Sequence, residues 1–230
     1  MVDLSVEIAG LKLPNPVMNA ACPISRDADM MIKLIDSGVG GVVAKTISIK
    51  PAIVPRPTMG VVDRGFMTGY LLKTVEPGVV RAVRVASIGG YRAFYALLNA
   101  ELWSDIPLEH YLEREYPRVK KYAVEKGVPF IVSIGYKPEE LALLGPRVVK
   151  AGADAIEFST HYIGQDWRPV VEAAKALREA VDVPIFPKLS PFTPNIPELV
   201  KELEKVGVDG IVATNTIGCL LYTSPSPRDS

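Results

Sequence analysis

One pattern occurs twice in this sequence, as Lys150-Ala151-Gly152-Ala153-Asp154-Ala155 and as Lys205-Val206-Gly207-Val208-Asp209-Gly210. Each copy follows an amphipathic segment and precedes a short apolar run. We therefore expect the glycine to end a helix in a left-handed cap and the aspartate to lead into a strand. A looser copy is Asp36-Ser37-Gly38-Val39-Gly40-Gly41. Repetition of a helix, this joint and a strand predicts a parallel sheet with right-handed crossovers.

Short apolar runs carry the predicted strands. Each run is bounded by Gly or Pro and is apolar enough to be covered on both faces, which is typical of a strand in a parallel sheet. The runs begin at Pro16, Gly41, Pro129, Ala155, Pro184 and Gly210. The segments with helical spacing of apolar residues are Asp27 to Ser37, Pro138 to Ala151, Pro169 to Val181 and Pro194 to Val206.

Polar residues at the carboxyl ends of nearly all these runs favour a (β/α)8 TIM barrel over a doubly wound open sheet. In barrels that rim carries the chemistry, and the first run lacks the G-x-G-x-x-G fingerprint of a dinucleotide-binding sheet. We therefore predict an α/β fold, a TIM barrel truncated after about six βα units. Residues 1–218 form this incomplete barrel domain, with 48–126 as a long insertion or lid over its mouth. The polar rim residues are Asn19, Lys45, Ser133, Ser159, Lys188 and Asn215.

The last residues, 219–230, break with everything before them. From Cys219 to Asp229 they match the conceptual translation of a transposon-based sequencing adapter. The other interpretation is a natural disordered tail rich in Ser and Pro. We predict that 219–230 is a non-native tail and that the native chain continues past Gly218.

The composition argues against several classes of protein. The 230 residues include 26 basic and 26 acidic side chains, for a net charge of +0, which disfavours a nucleic-acid binder or a polybasic membrane protein. No apolar run approaches the roughly 18 residues of a membrane span, and the start lacks a signal-peptide pattern. The two cysteines, Cys22 and Cys219, cannot build a disulfide framework. With no metal-ligand cluster and no Cys-x-x-Cys motif, these observations predict a reduced, cytoplasmic protein without a metal site.

Short motifs at the predicted strand ends and in the long insertion carry a family resemblance. They are Gly10 to Pro16 with Asn19-Ala20-Ala21, Ala44-Lys45-Thr46-Ile47-Ser48, Leu98-Asn99-Ala100-Glu101-Leu102, Gly152 to Glu157, Pro187-Lys188-Leu189-Ser190-Pro191 and Ala213-Thr214-Asn215-Thr216. In this order they resemble the dihydroorotate and dihydropyrimidine dehydrogenase family. The likeness covers about residues 3 to 218 and is closest to the flavin domain of the dihydropyrimidine dehydrogenases.

The resemblance implies an FMN-dependent oxidoreductase that acts on a CH–CH bond. A hydride passes between flavin N5 and one carbon, and a side chain handles a proton at the neighbouring carbon. It also implies that the backbone around Ala20 and Ala21 lines the flavin and that Lys45 approaches flavin and substrate. Lys188 would lie by the N1/O2 edge, where a cation stabilises the reduced ring. The residues implied to hydrogen-bond a polar unsaturated heterocycle are Asn99, Asn215 and Thr216.

After the fourth predicted strand the sequence departs from the family. The family has Asn-Leu-Ser-Cys-Pro, whose Cys or a replacing Ser transfers the proton, whereas this chain has Ser159-Thr160-His161-Tyr162-Ile163. Ser159 stands for the flavin- and substrate-binding Asn, and Tyr162 stands for the Cys. We predict Tyr162 as the proton donor, with His161 as the other candidate beside Lys188 in the catalytic set. The alternative is that Tyr162 packs over the pocket and His161 caps a backbone carbonyl.

The family binds the FMN phosphate with the loops after the last two strands, as phosphate-binding barrels commonly do. Because those strands would follow Gly218, we expect this chain by itself to hold FMN weakly and to be inactive. The resemblance also implies a role in pyrimidine metabolism. It is compatible with an electron-transfer partner subunit and with a homodimer.

The residues leave two other functions open. One is a Schiff-base, aldolase-type barrel enzyme that uses Lys45 or Lys188. The other is a non-catalytic flavin-binding subunit whose site Tyr162 fills. Lys45 and Lys188 could also be surface lysines, although a solvated lysine inside an apolar strand is unusual. Asn215 could be a simple turn former.

Overall fold

The computed structural model describes residues 2–54, 102–159 and 166–215, together with the backbones of four strands between residues 59 and 99. The strands are β1 (Val6–Ile8), β2 (Leu11–Leu13), β3 (Val42–Ile47), β4 (Met59–Val62), β5 (Gly69–Glu76), β6 (Val79–Val85), β7 (Ala96–Asn99), β8 (Phe130–Ile134), β9 (Ala155–Ser159), β10 (Ile185–Leu189) and β11 (Val212–Ala213). The α-helices are α1 (Ala28–Asp36), α2 (Leu108–His110), α3 (Tyr116–Lys126), α4 (Pro138–Lys150), α5 (Arg168–Ala180) and α6 (Ile196–Val206).

Five strands form one parallel sheet in the order β11-β10-β9-β8-β3. Neighbours in this sheet follow one another along the chain, so every crossover moves in the same direction. Right-handed crossovers that never reverse place all their helices on one face of the sheet, whereas a doubly wound sheet reverses at a switch point. The α/β class and the parallel sheet are confirmed, and the strand order matches that of a barrel. The described strands do not close a barrel, so closure and truncation stay predictions.

The helices pack in succession, α1 with α3, α4 with α5 and α5 with α6. Between them and the sheet lies the large core, to which each of these helices contributes a fully buried side chain. The opposite face of the sheet, which we call the inner face, carries a small cluster of buried side chains against which Leu11 and Met18 pack. The helix side chains are Met31, Val119, Leu144, Leu177 and Leu203, and the inner cluster is Val43, Ile131, Ala155 and Phe186.

The helices begin where the sequence supplies a suitable first turn. The Asp27 side chain accepts a hydrogen bond from the Met30 amide at 3.0 Å and so caps α1. Proline stands in the first turn of α4, α5 and α6, where its missing N–H costs nothing. The predicted helices therefore start and stop within two residues of the observed ones.

Each of the two Gly-x-Asp joints ties the strand that follows it to the strand before it. Gly152 turns the chain with φ 115°, and the amide of Asp154 then donates to the Phe130 carbonyl at 2.8 Å. The Asp154 carboxylate accepts the Phe130 amide at 2.8 Å and contacts the Lys120 ammonium of α3. A single side chain thus aligns the start of β9 with the start of β8.

The second joint repeats this arrangement two units further on, before β11. Gly207 has φ 88°, the Asp209 amide donates to the Ile185 carbonyl at 3.1 Å, and its carboxylate accepts the Ile185 amide at 2.9 Å. Arg178 of α5 takes the place of the lysine, with 3.2 Å between Nη1 and the carboxylate. The expectation that glycine ends the helix and aspartate leads into the strand is confirmed at both joints.

The looser joint has glycine where the others have aspartate. Gly40 donates its amide to the Val17 carbonyl at 2.7 Å. A Cβ at Gly40 would lie 1.8 Å from the Asn15 carbonyl oxygen, so no side chain fits. Close approach of two backbones explains why this copy lacks the aspartate.

The prediction of a first strand over Pro16 to Ala21 is wrong in extent. This segment makes a single parallel bridge, between Met18 and Gly41. Beyond it the Asn19 side chain replaces the backbone, donating to the Val43 carbonyl at 2.7 Å and accepting the Val43 amide at 3.0 Å. The segment therefore runs beside β3 without forming a full strand.

The stretch 48–126 is not one insertion. The strands β4 and β7 pair antiparallel, as do β5 and β6. From Leu108 onward the chain is helical through α2, a π-helical turn at Tyr111–Glu115 and α3, and α3 packs against α1 and β8. The C-terminal part of the stretch 48–126 is thus the crossover helix between β3 and β8. That the rest of the stretch forms a lid over the mouth stays a prediction.

Replacing Asp154 by alanine tests the joint. Asp154→Ala leaves the Phe130 amide without its carboxylate and should lower the free energy of unfolding by about 1–3 kcal/mol. Urea denaturation measures the loss. The same substitution at exposed Asp182 should change it by less than about 0.5 kcal/mol. Equal effects at the two positions would contradict the role of the joint.

Candidate functional site

A row of polar side chains crosses the inner face just above its apolar cluster. On each strand the polar residue follows an inner apolar residue by two positions, so it points to the same face. The pairs are Val43 and Lys45, Ile131 and Ser133, Ala155 and Glu157, and Phe186 and Lys188. This row lies toward the carboxyl ends of the strands, where barrel enzymes carry their reactive groups.

A bulge in β3 adds a second polar residue to this row. The register runs from Ala44 beside Val132 to Ile47 beside Ile134, which leaves β3 with one extra residue. In a bulge two residues oppose one on the partner strand. Both Lys45 and Thr46 therefore stand opposite Ser133, and the Thr46 and Ser133 hydroxyls lie 2.8 Å apart.

We call the connected residues Thr46, Ser133, Glu157 and Lys188 the polar belt, with one residue on each of four adjacent strands. The Ser133 hydroxyl donates to Glu157 Oε1 at 2.9 Å. The Lys188 Nζ lies 3.5 Å from the same oxygen. The belt thus runs unbroken from β3 to β10.

The belt contains a buried ion pair. The side chains of Glu157 and Lys188 are 5% and 9% exposed, and Ser133 is fully buried. Removing two charges from water costs several kcal/mol per ion, and mutual attraction repays this only with good hydrogen bonding. A buried pair of this kind is weak evidence for stability but marks a candidate functional site.

A cavity of about 460 Å³ opens against the inner face, a size within the range of small-molecule sites. Its walls are mainly apolar, and Glu157 and Lys188 are the charged residues among its described lining. Ala20 lines it as well, and Ala21 packs against the adjoining inner cluster. The lining is Ile8, Leu11, Leu13, Met18, Asn19, Ala20, Val43, Ile131, Glu157, Phe186, Lys188, Ile211, Val212, Ala213 and Thr214.

Lys45 is buried beside the belt and held by the segment that begins at Leu102. Its Nζ donates to the Leu102 carbonyl at 2.7 Å. Leu102 is in the left-handed region with φ 48°, a conformation that is costly for a residue other than glycine. The amide of Ser104 donates to the Thr46 carbonyl at 2.8 Å, so this segment is fixed to the end of β3.

The same segment is anchored through Tyr111. The Tyr111 hydroxyl lies 2.7 Å from the Ser104 hydroxyl and donates to the Arg26 carbonyl at 2.6 Å. Burial is the main cause that raises the pKa of Tyr111 well above its usual value, so its phenol stays protonated and can donate. The wall next to Lys45 is therefore tied to the loop before α1.

The structure brings two further predicted residues together. The Asn215 side chain donates to the Ser159 hydroxyl at 3.4 Å. The backbone amide of Asn215 donates to the Leu189 carbonyl at 2.8 Å. Ser159 lies beside Lys188 in the register of β9 and β10. Ser159, Lys188 and Asn215 thus meet at the carboxyl ends of neighbouring strands.

Other predicted residues lie outside the described part of the chain. These are His161, Tyr162 and Thr216, and for Asn99 only the backbone is described, paired with Met59 in β7 and β4. Their roles as proton donor or substrate ligands stay predictions.

Sequence reasoning did not assign a function to Glu157. The signal was present, because Glu157 is an acidic residue in the middle of an apolar strand, and such residues are almost never fully buried unless paired. What the sequence does not show is the partner. The register of β9 and β10 pairs Lys188 with Ser159, and from there its Nζ reaches Glu157, two residues earlier on β9.

Two negative findings concern the described residues. Among them, no group of three or more His, Cys, Asp or Glu side chains is placed to hold a metal ion. No described helix is both long and apolar enough to cross a membrane.

The chain is similar over nearly its whole length to pyrimidine dehydrogenases. It is 30% identical to the chloroplastic dihydropyrimidine dehydrogenase (NADP(+)) of Arabidopsis thaliana over 94% of this chain and 49% of the relative. It is 30% identical to the catalytic subunit of dihydroorotate dehydrogenase B (NAD(+)) of Pyrococcus abyssi over 93% of this chain and 62% of the relative. A subunit of the NAD-dependent dihydropyrimidine dehydrogenase of Escherichia coli is 28% identical over 94% of this chain and 48% of the relative.

The chain therefore spans between about half and two thirds of the length of these curated relatives. No family model matches it. Among solved structures, a dihydrodipicolinate synthase from Oceanobacillus iheyensis is 21% identical and covers 48% of this chain with a TM-score of 0.40. That TM-score is too low to define a fold or a function.

Ser133→Ala tests the belt. The substitution removes a donor from the buried Glu157 carboxylate and should lower the free energy of unfolding by about 1–3 kcal/mol. Thr46→Val removes the hydrogen bond between the Thr46 and Ser133 hydroxyls, which does not involve the carboxylate. It should lower the free energy of unfolding by less. Denaturant unfolding of both variants and of exposed Ser5→Ala checks the order. A larger loss for Thr46→Val than for Ser133→Ala would contradict it.

Proposed function

We propose that this chain is the flavin-binding catalytic part of an FMN-dependent oxidoreductase that acts on a CH–CH bond. The observation that carries the proposal is the cavity on the inner face, whose apolar walls end at a buried lysine. The similarity of 93–94% of the chain to dihydropyrimidine and dihydroorotate dehydrogenases supports it.

The groups around this cavity suit a flavin ring. A flavin is flat and largely apolar, with one polar edge that becomes negative on reduction. Val43, Ile131 and Phe186 offer apolar walls, and Lys188 offers a buried cation on one side. The small side chain of Ala20 lines the cavity without filling it.

Bound FMN would supply the hydride chemistry. Lys188 would hold a positive charge at the polar edge, where it stabilises negative charge more strongly than in water because the site is buried. Ser159 and Asn215 would orient a polar heterocycle at the carboxyl ends of the strands, and Lys45 would approach both ligands. The apolar walls would exclude water from the reacting atoms.

For the proton we propose Tyr162, whose phenol Oη would donate to the substrate carbon next to the one that exchanges hydride. His161 is the other candidate. By analogy with the relatives that are subunits of larger enzymes, we propose that a partner chain exchanges electrons with this one.

The Schiff-base alternative has less support. A Schiff-base lysine must be a neutral amine, whereas the Lys188 Nζ lies 3.5 Å from the Glu157 carboxylate, a partner for the ammonium. The Lys45 amine is buried and donates to a backbone carbonyl, which leaves it poorly placed to attack.

Flavin binding tests the proposal. Titration with FMN and with riboflavin, which lacks the phosphate, should give saturable quenching of flavin fluorescence for both. Lys188→Met should weaken both about tenfold, because it removes a charged contact to the ring worth about 1.4 kcal/mol or more. Lys201→Met, at an exposed helix position, should leave both unchanged. Absence of saturable binding by the unaltered chain would overturn the proposal.

Tyr162→Phe tests the proton donor. At saturating reduced FMN, which offsets weak binding, it should slow the single-turnover reoxidation of the flavin by orotate or uracil about 10²-fold, as measured by stopped-flow absorbance. Tyr122→Phe, which removes an exposed hydroxyl bonded to Asp36, is the matched control. An unchanged rate in Tyr162→Phe would remove Tyr162 from the mechanism and favour His161.

A further inference from the structure

We propose that Glu157 is a positioning residue that acts through Lys188 and limits the positive charge that Lys188 presents to the ligand. This inference rests on the proposed function, because the ligand is taken to be the flavin. Glu157 has no other role in the site as derived above. It nevertheless holds a buried charge in the cavity wall.

The geometry of the belt fixes the carboxylate before any ligand arrives. A single oxygen, Glu157 Oε1, accepts the Ser133 hydroxyl at 2.9 Å and lies 3.5 Å from Lys188 Nζ. Thr46 in turn lies 2.8 Å from the Ser133 hydroxyl. The flexible arm of Lys188 is thus directed to one point, set by residues on three other strands.

The charge of the wall follows from this pairing. Among the described lining residues Glu157 and Lys188 carry the charges, so together they present a nearly neutral wall to an uncharged oxidised ring. The other cation on the inner face, Lys45, bonds to the Leu102 carbonyl. When the ring gains negative charge, it competes with the Glu157 carboxylate for the Lys188 ammonium. Reduction of the ring is therefore harder with Glu157 present than it would be beside Lys188 without this partner.

The reduction potential of bound FMN tests this balance. Glu157→Gln keeps the shape of the side chain and removes the negative charge that is paired with Lys188. The ratio of reduced to oxidised flavin at a given potential should rise about tenfold, which is about 30 mV for a two-electron couple. Lys188→Met should lower the reduction potential, because it removes the cation that stabilises the reduced ring. Equilibration with a redox dye measures both, and Glu172→Gln on the exposed face of α5 is the control.

A double variant separates action through Lys188 from a general disturbance. In the Lys188→Met background, Glu157→Gln should shift the potential by much less than in the unaltered chain, because the group through which Glu157 acts is gone. An equal shift in both backgrounds, or a fall in potential in Glu157→Gln alone, would overturn the proposal.

A second measurement needs no flavin. Acetic anhydride at pH 7.5 acetylates neutral amines, and peptide mass spectrometry gives the rate at each lysine. In Glu157→Gln the rate at Lys188 should rise about tenfold, because the ion pair that holds its Nζ 3.5 Å from Glu157 Oε1 is lost. Lys201, at an exposed position of α6, serves as the internal reference and should keep its rate. An unchanged rate at Lys188 would overturn the pairing.

The two measurements keep the hypotheses apart. If the unaltered chain binds no flavin, the proposed function fails, and the acetylation rates still decide whether Glu157 controls Lys188. If Glu157→Gln does not fold, Glu157→Asp keeps the charge but shortens the arm. It should shift the acetylation rate at Lys188 in the same direction by a smaller factor, and an unchanged rate there would overturn the pairing.

Discussion

The arrangement of the site depends on one interaction, the carboxylate of the Gly-x-Asp joint that binds the first amide of the preceding strand. Asp154 makes this contact with Phe130, and Asp209 makes it with Ile185. Each contact fixes how far one strand is staggered against the next. Because side chains alternate along a strand, an error of one residue would turn every inner side chain toward the helices. The register that places Ser133 beside Glu157 is therefore set at the far end of the strands.

The inner face combines two demands that oppose each other. Its lower layer, from Val43 to Phe186, is apolar and stabilises the fold, whereas the layer above it buries charged and hydroxyl groups that cost free energy to desolvate. Proteins break the rules of core packing chiefly at functional sites and compensate elsewhere. Here the compensation is visible, because the large core between helices and sheet is built from fully buried apolar side chains.

Much of the fold could be predicted from the sequence, because it depends on local signals. Glycines at the joints, proline in the first turns and apolar periodicity place the helices to within two residues. The sequence predicts too long a first strand, because Pro16 to Ala21 makes a single backbone bridge and is otherwise held by the side chain of Asn19. The end of the insertion is not evident from the sequence, because α3 is polar on much of its surface and its partner α1 is distant in the chain.

The site could be predicted only in part, for a related reason. The positions of Lys45, Ser159, Lys188 and Asn215 near strand ends can be predicted, because a sequence shows such positions directly, whereas their roles stay predictions. The pairing of Glu157 with Lys188 depends on register, which joins residues far apart in the chain. Residues such as Tyr162, outside the described part, depend on the sequence argument alone.

The extra residue in β3 makes the inner face sensitive to chain length in a way that substitutions do not reveal. Lys45 and Thr46 share a face only because the bulge accommodates both. Loss of one residue between Ala44 and Ile47 would restore regular alternation and leave a single side chain opposite Ser133. A one-codon deletion would thus remove either the lysine or the hydroxyl from the inner face while every other residue keeps its identity. Such indels offer a direct genetic route for separating the two groups.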